Sequence, residues 1–296
     1  MQASEISPPV ITVVDAHKVS LSAHLSPLAM LRSVLKNRAL VRQLAWREIS
    51  ARYRGTQLGL FWSVLNPLLM LSVYTYVFCG VMKVQLDTPE GAAGSNNYFS
   101  YALKLFAGLT AFNLFSEVVS RAPMLVISCP NYVKKVVFPL EILPLIALGT
   151  AASTFFASLL VLIAAELLLQ GSIPWTVVFF PAAILPLVLL ALALGWLLSS
   201  LGVFLRDIGQ SIAFVMQLLI FMTPVFYPVE AIPAGLRPIL TYSPLTISVE
   251  SFRQVVLWGQ QPDWTLLAIA TVSGLLCCQL GFAFFMKTKK AFADVI

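Results

Sequence analysis

The sequence predicts an all-α, polytopic membrane protein with six transmembrane helices, and three observations support this prediction. The mean hydropathy of +0.87 is higher than a soluble globular domain sustains, so lipid must cover part of the apolar surface. Six stretches with few or no charges are each long enough for a helix to cross roughly 30 Å of hydrocarbon. Lysines and arginines lie mainly between these stretches, where positive charge orients a membrane protein.

The chain before the first span contains a polar tail and a basic helix. Residues 1–27 are polar and contain prolines, and they lack the apolar core of a signal peptide. In residues 28–53, apolar side chains recur at helical spacing with arginines and lysines between them. This pattern predicts an amphipathic helix that lies in the cytoplasmic interface of the membrane. A soluble helix packed on another element is the alternative.

The six predicted spans belong to one transmembrane domain, residues 28–296. Each is free of charge except the second, which contains Glu117 and Arg121, and the third, which contains Glu166 near its end. The break "QGSIPW" at 170–175 divides an uncharged stretch that is too long for one helix. The spans cover residues 60–82, 105–128, 142–168, 177–203, 208–227 and 264–286. Between the last two lie residues 228–263, which are interrupted by Pro228, Pro233, Pro238 and Pro244. We therefore expect a segment that re-enters the membrane or lies at its outer surface.

Positive charge predicts the orientation of the chain. Six spans place both termini on the same side of the membrane. With the termini inside, fourteen of the 19 lysines and arginines fall in cytoplasmic segments, as the positive-inside rule requires. The sequence therefore predicts a multi-pass protein of the plasma membrane whose termini are both cytoplasmic.

Several classes of function find no support in the residues. The histidines, His17 and His24, lie in the polar tail, far from any pocket that the spans would form. The basic residues flank apolar stretches without forming a patch, which argues against nucleic acid as a partner. No GxxxxGK[ST] sequence is present, so any ATP and Mg²⁺ must be bound by another polypeptide. The cysteines have no metal-ligand spacing: Cys79, Cys129, Cys277 and Cys278.

Charged residues inside the predicted spans are few. Glu117 and Arg121 lie four residues apart in the second span and therefore share one face of a helix. Burying two opposite charges together costs less than burying either alone, so we expect a structural ion pair. A polar element in the wall of a conduit is the alternative. Glu166, near the end of the third span, is expected to extend to water.

Aromatic residues are concentrated in the fifth span and just after it. They are Phe214, Phe221, Phe226 and Tyr227. Because aromatic rings stack on sugar faces, these residues are candidates for the lining of a glycan channel. Aromatic residues also populate membrane interfaces and helix contacts, which is the alternative explanation.

Five sequence blocks, in their order and spacing, resemble the membrane subunit of polysaccharide exporters of the type-2 ABC fold. The resemblance covers roughly residues 35–290. The blocks are "RYRGTQLGLFWSVLNPLLML" at 52–71, "SRAPMLVISCPNYVKKVVFPLEILPL" at 120–145, "FLRDIGQ" at 204–210, "TPVFYP" at 223–228 and "SPLTISVESFR" at 243–253. The resemblance implies a homodimer that assembles with two cytoplasmic ATPase subunits. It also implies a substrate glycan attached to a polyprenyl diphosphate lipid, moved from the inner to the outer leaflet.

The resemblance also implies roles for two groups of residues. The coupling segment that docks on the ATPase corresponds to Asn131, Tyr132, Val133, Lys134 and Lys135, although the two lysines could serve topology alone. The entrance for the lipid headgroup corresponds to Leu58 and Gly59, with three arginines nearby that could pair with diphosphate or anchor anionic lipid: Arg47, Arg52 and Arg54.

The sequence therefore predicts the membrane subunit of an ATP-driven exporter of O-antigen in a bacterial inner membrane. An ABC exporter of teichoic acid, capsule or a drug is one alternative. A carrier that works alone on an ion gradient is the other, although such a carrier usually has more ionisable residues within its spans.

Overall fold

The structure, a computed structural model, describes residues 27–56, 58–81, 96–134, 138–205, 207–227, 229 and 232–295. Within these residues the chain forms twelve α-helices and no strand. The helices are α1 Pro27–Lys36, α2 Arg38–Tyr53, α3 Trp62–Tyr74, α4 Asn96–Arg121, α5 Pro130–Lys134, α6 Leu143–Gln170, α7 Phe180–Phe204, α8 Ile208–Met222, α9 Arg237–Thr241, α10 Pro244–Val256, α11 Trp264–Thr288 and α12 Phe292–Val295. The predicted all-α architecture is confirmed.

Four of the helical stretches are long and apolar enough to cross a membrane, namely Phe99–Met124, Leu140–Leu169, Trp175–Phe204 and Trp264–Ala291. They match the second, third, fourth and sixth predicted spans. The first and fifth predicted spans correspond to shorter apolar helices, Trp62–Phe78 and Ile208–Met222. Six crossings therefore remain a prediction.

Several of the predicted spans have other ends than expected. The second, expected over residues 105–128, is the stretch Phe99–Met124. The fifth, expected to reach residue 227, ends at Met222 because Thr223 has an extended ψ of 138°. Thr223 precedes Pro224, and a proline disfavours the helical conformation of the residue before it. The first ends in a π-helical turn, Thr75–Val81, and its expected last residue, 82, lies outside the described residues.

Helix α7 lies at the centre of the bundle, where it packs against α4, α10 and α11. The backbones of α7 and α11 come into direct contact, since a Cβ atom at Gly281 would lie 2.4 Å from the carbonyl oxygen of Ala193. Small residues at such positions let helices approach closely, which supplies packing energy where lipid removes the hydrophobic driving force.

The basic helix predicted over residues 28–53 is divided into α1 and α2 at Asn37. The side-chain amide of Asn37 donates a hydrogen bond of 2.9 Å to the carbonyl oxygen of Ser33, and such local bonds compete with regular helix geometry. Helix α2 lies along α6, and its Ala45 is buried against that helix.

The segment between α8 and α11 contributes to the core of the bundle. Its main helix, α10, matches the helical candidate of the sequence and is buried among α4, α7 and α11. Pro244 is the first residue of α10, where a missing amide hydrogen costs nothing. The segments on either side of α10 are less covered, since residues 233–239 and 260–261 are exposed.

Candidate functional site

The basic residues of α1 and α2 lie at one end of the bundle, which we call the basic end. It comprises α1, α2, α5, α12 and the first turn of α6. The side chain of Glu141, just before α6, joins three parts of this end. Its carboxylate lies 2.7 Å from Lys289 Nζ and accepts a 3.3 Å hydrogen bond from Ser33 Oγ of α1. Helix α1 and the segment that follows α11 therefore meet at the start of α6.

An ion-pair network connects α2 to the membrane helix α4. Glu48 and Arg52 are one turn apart on α2, and Glu117 and Arg121 are one turn apart on α4. Arg52 pairs with Glu117, and Arg121 pairs with Glu48. The expected pair within α4 is also present, but at 3.9 Å between Arg121 Nη1 and Glu117 Oε1 it is the longest of the three contacts. The intramembrane charges thus serve mainly to hold α2.

The surroundings of Arg52 favour the charged form of its guanidinium. Partial burial disfavours the charged form of the Arg52 guanidinium, but the hydrogen bond and the charge of Glu117 outweigh burial, so the pKa of Arg52 is raised. Arg52 also donates a 3.2 Å hydrogen bond to Thr154 Oγ1 of α6. One guanidinium therefore joins three helices.

The predicted coupling segment forms the short helix α5. Asn131 is exposed, and Tyr132 contacts two other parts of the basic end. Arg47 of α2 donates a 3.3 Å hydrogen bond to Tyr132 Oη. The Tyr132 ring stacks on Phe138 at 4.4 Å between centroids. Val133 and Lys134 complete the helix, and Lys135 lies outside the described residues.

A cleft of about 300 Å³ separates α2 from α4, α5 and the start of α6. Arg47, Glu48, Arg121 and Tyr132 all line it. The ion-pair network and the coupling segment, which are far apart in the sequence, therefore border the same cleft. A displacement of α5 in this cleft would act directly on α2.

The structure separates the five residues predicted at the headgroup entrance. Arg47 faces α5, whereas Arg52 lines a second cleft of about 350 Å³ together with Trp62 and Asn66 of α3. Arg54 and Leu58 are exposed in the connection to α3. Gly59 has φ of +52°, a left-handed conformation that glycine adopts without strain. A polar cleft thus lies beside the connection in which the entrance was predicted.

The aromatic residues of the fifth span lie on an uncovered face. Phe214 and Phe221 of α8 are 62% and 66% exposed, and the Phe221 ring stacks on Phe226 at 5.5 Å. Tyr227 Oη donates hydrogen bonds to the carbonyl oxygens of Phe221, at 2.7 Å, and Met222, at 3.2 Å. These bonds satisfy carbonyl groups at the end of α8.

Arg253 of α10 is the main structural residue that sequence reasoning missed. It is 0% exposed, and its guanidinium donates to the carbonyl oxygens of Lys104 (3.0 Å), Pro224 (2.8 Å) and Val225 (2.6 Å) and to Glu250 (3.2 Å). The sequence signal was available, since Arg253 follows Glu250 by three residues on a helix that is otherwise uncharged. Burial also corrects the expectation for Glu166, which is 1% exposed and does not reach the surface of the chain.

The ion-pair network predicts a measurable coupling between Arg52 and Glu117. Replacing either residue with glutamine should lower the free energy of unfolding by about 1 kcal/mol, because the partner charge is left partly buried. The double variant should lose little more than either single one. Thermal unfolding of the purified chain in detergent measures all three. The control is Arg54→Gln, since Arg54 has no carboxylate partner among the described residues; additive losses at Arg52 and Glu117 would contradict the pairing.

The chain is similar in sequence to known export and transport proteins. The O-antigen export system permease protein RfbA of Myxococcus xanthus is 28% identical over 272 residues, 91% of this chain and 100% of that protein. A protein of the same name from Klebsiella pneumoniae is 26% identical over 252 residues, 84% of this chain and 92% of that protein. The polysialic acid transport protein KpsM of Escherichia coli is 21% identical over 260 residues, 85% of this chain and 94% of that protein.

The sequence profile of the ABC-2 type transporter family matches residues 39–257. The matched range begins in α2 and ends just after α10, so it includes the ion-pair network, the predicted coupling segment and Arg253. The chain belongs to the ABC-2 type transporter family.

Proposed function

We propose that this chain is the membrane subunit of an ATP-driven exporter that moves O-antigen, attached to polyprenyl diphosphate, across the bacterial inner membrane. The observation that carries this proposal is the similarity to O-antigen export permeases over 84–91% of the chain. The similarity extends over 92–100% of the length of those proteins. It is therefore not limited to one shared segment.

The proposed assembly is a homodimer of this chain with two cytoplasmic ATPase subunits. The ATPases would bind ATP and Mg²⁺, since this sequence contains no P-loop motif. The exposed apolar residues of α3 and α8, such as Val73 and Phe221, supply surface that a second copy and lipid would cover. The basic end would face the cytoplasm, in keeping with the positive-inside rule.

The proposed energy transfer begins at the coupling segment, residues 131–135, docked on the ATPase. Tyr132 contacts Arg47 of α2 and stacks on Phe138, so movement of α5 would reach α2 and the start of α6 together. Helix α2 would pass the movement to α4 through Arg52 and Glu117. Closure of the ATPase pair would thereby displace the membrane helix α4 through α5 and α2.

The proposed route of the substrate begins in the cleft that Arg52 lines beside α3. Arginine pairs bidentately with phosphate, and Arg54 at the same connection is exposed. The glycan would then follow the aromatic surface of Phe214, Phe221 and Phe226, which one chain leaves open and a dimer would enclose.

Deletion of the gene, followed by complementation, tests the proposal. We expect O-antigen to disappear from the cell surface while the polyprenyl-linked polymer accumulates inside. Accumulation of a lipid-linked capsule or teichoic polymer instead would assign another cargo to the same mechanism. A P-loop ATPase should co-purify with the tagged chain. Solute uptake by the chain alone in liposomes, driven by an ion gradient, would refute the ABC mechanism.

A further inference from the structure

The second flank of α2 faces away from the ion-pair network and forms a groove with α6. The groove has a volume of about 490 Å³, within the range of ligand sites, and its lining is almost wholly apolar. Val41, Ala45 and Ile49 of α2 form one wall, and Leu148 and Ala152 of α6 form the other. An open apolar groove of this size needs an apolar occupant.

The residues of the α6 wall show at which level of the membrane the groove lies. Leu145, Leu148 and Ala152 belong to the first half of the membrane span Leu140–Leu169. With a rise of 1.5 Å per residue, these positions lie about 7 to 18 Å along the span from its first residue. The groove therefore runs from the headgroup level into the hydrocarbon, where its occupant is the bilayer itself.

Two arginines, Arg38 and Arg42, border the groove at its α2 side. They lie four residues apart on one helix, so their side chains are neighbours and reach a single anionic group. Both are exposed, and no carboxylate of the described residues pairs with either of them. This distinguishes them from Arg47 and Arg52 on the other flank, whose guanidinium groups contact Tyr132 and Glu117.

Trp46 lies one turn after Arg42 on the same side of α2 and is 62% exposed. Tryptophan is enriched at the level where headgroups meet acyl chains, because its ring is apolar and its indole N–H is polar. The row Arg38, Arg42, Trp46 thus presents two cations and one interfacial aromatic beside an apolar channel.

We propose that this groove is a binding site for an anionic phospholipid of the bilayer. One acyl chain lies between α2 and α6, and Arg38 and Arg42 bind the phosphate. The bound lipid covers the contact at which Ala45 packs on Gly149 and so holds α2 on α6. This site is separate from the cleft beside Arg52 that the proposed function assigns to the substrate headgroup.

Native mass spectrometry of the full-length chain, titrated with phosphatidylglycerol or phosphatidylethanolamine, tests the proposal. We expect wild-type protein to prefer phosphatidylglycerol, and Arg38→Gln with Arg42→Gln to weaken its binding on the order of tenfold. The matched control is Arg32→Gln with Lys36→Gln, which removes the same charge from exposed positions of α1. A second variant, Ala152→Trp, fills the groove without changing charge and should weaken both lipids.

Any of the following results would overturn the proposal. The first is unchanged phosphatidylglycerol binding in the Arg38 and Arg42 variant. The second is an equal loss in the α1 control, which would mean that general charge attracts the lipid. The third is displacement of phosphatidylglycerol by undecaprenyl diphosphate, or a gain of lipid binding when residues 1–26 are removed, since the occupant would then be the carrier lipid or the chain's own tail. None of these readouts depends on export.

Discussion

Replacing Lys134 and Lys135 with glutamate should abolish export of the polymer while the chain remains in the membrane. In the proposed mechanism these residues lie where α5 docks on the ATPase, and reversing two charges replaces attraction by repulsion across that contact. We expect surface O-antigen to fall below detection and the ATPase to be lost from the purified complex. Immunoblotting of surface polymer and co-purification with the tagged chain measure the two effects.

The control for this variant must separate docking from topology, because positive charge also keeps a connection in the cytoplasm. Lys287→Glu with Lys290→Glu reverses two exposed lysines at the same end of the bundle and should leave export intact. Labelling of Cys129 with an impermeant thiol reagent reports which side the connection faces. Normal surface polymer in the Lys134 and Lys135 variant would refute the coupling role, and an inverted Cys129 would assign the lysines to topology.

The membrane helices could be predicted because their signal is local. An uncharged run of about 20 residues requires a helix in lipid, whatever surrounds it. The ends were less predictable, since they depend on single residues such as Asn37, which divides α1 from α2, and Pro224, which ends α8. Length and charge therefore define the spans, and side-chain chemistry defines their boundaries.

The contacts of the candidate site could be predicted only in part because they join distant parts of the chain. The spacing of Glu117 and Arg121 indicated a pair, but the equal spacing of Glu48 and Arg52 became meaningful only when α2 and α4 lay side by side. The contact of Arg47 with Tyr132 spans 85 residues. Sequence periodicity gives the face of a helix and leaves its partner undetermined.

Arg253 is the clearest case of such a partnership, and its replacement should cause the largest loss of stability. Arg253→Met would leave three backbone carbonyl groups and Glu250 without their donor in a buried site. We expect a loss of about 3 to 5 kcal/mol, which is a large fraction of the net stability of a typical domain. The stability of Arg253→Lys should lie between those of the wild type and Arg253→Met, since an ammonium group has three donors and the guanidinium has five. Thermal unfolding in detergent measures both, with Gln254→Met on the same helix as the control.

Gly108 of α4 provides an independent test of the same contact. A Cβ atom at Gly108 would lie 2.3 Å from Arg253 Nη2, and the next two nearest atoms also belong to the guanidinium. Gly108→Ala should therefore destabilise the wild-type chain by displacing Arg253 from the Lys104 carbonyl. In the Arg253→Met background the obstacle is gone and the methionine is flexible, so the same alanine should cost almost nothing. Equal costs of Gly108→Ala in the two backgrounds would show that Arg253 does not lie against α4.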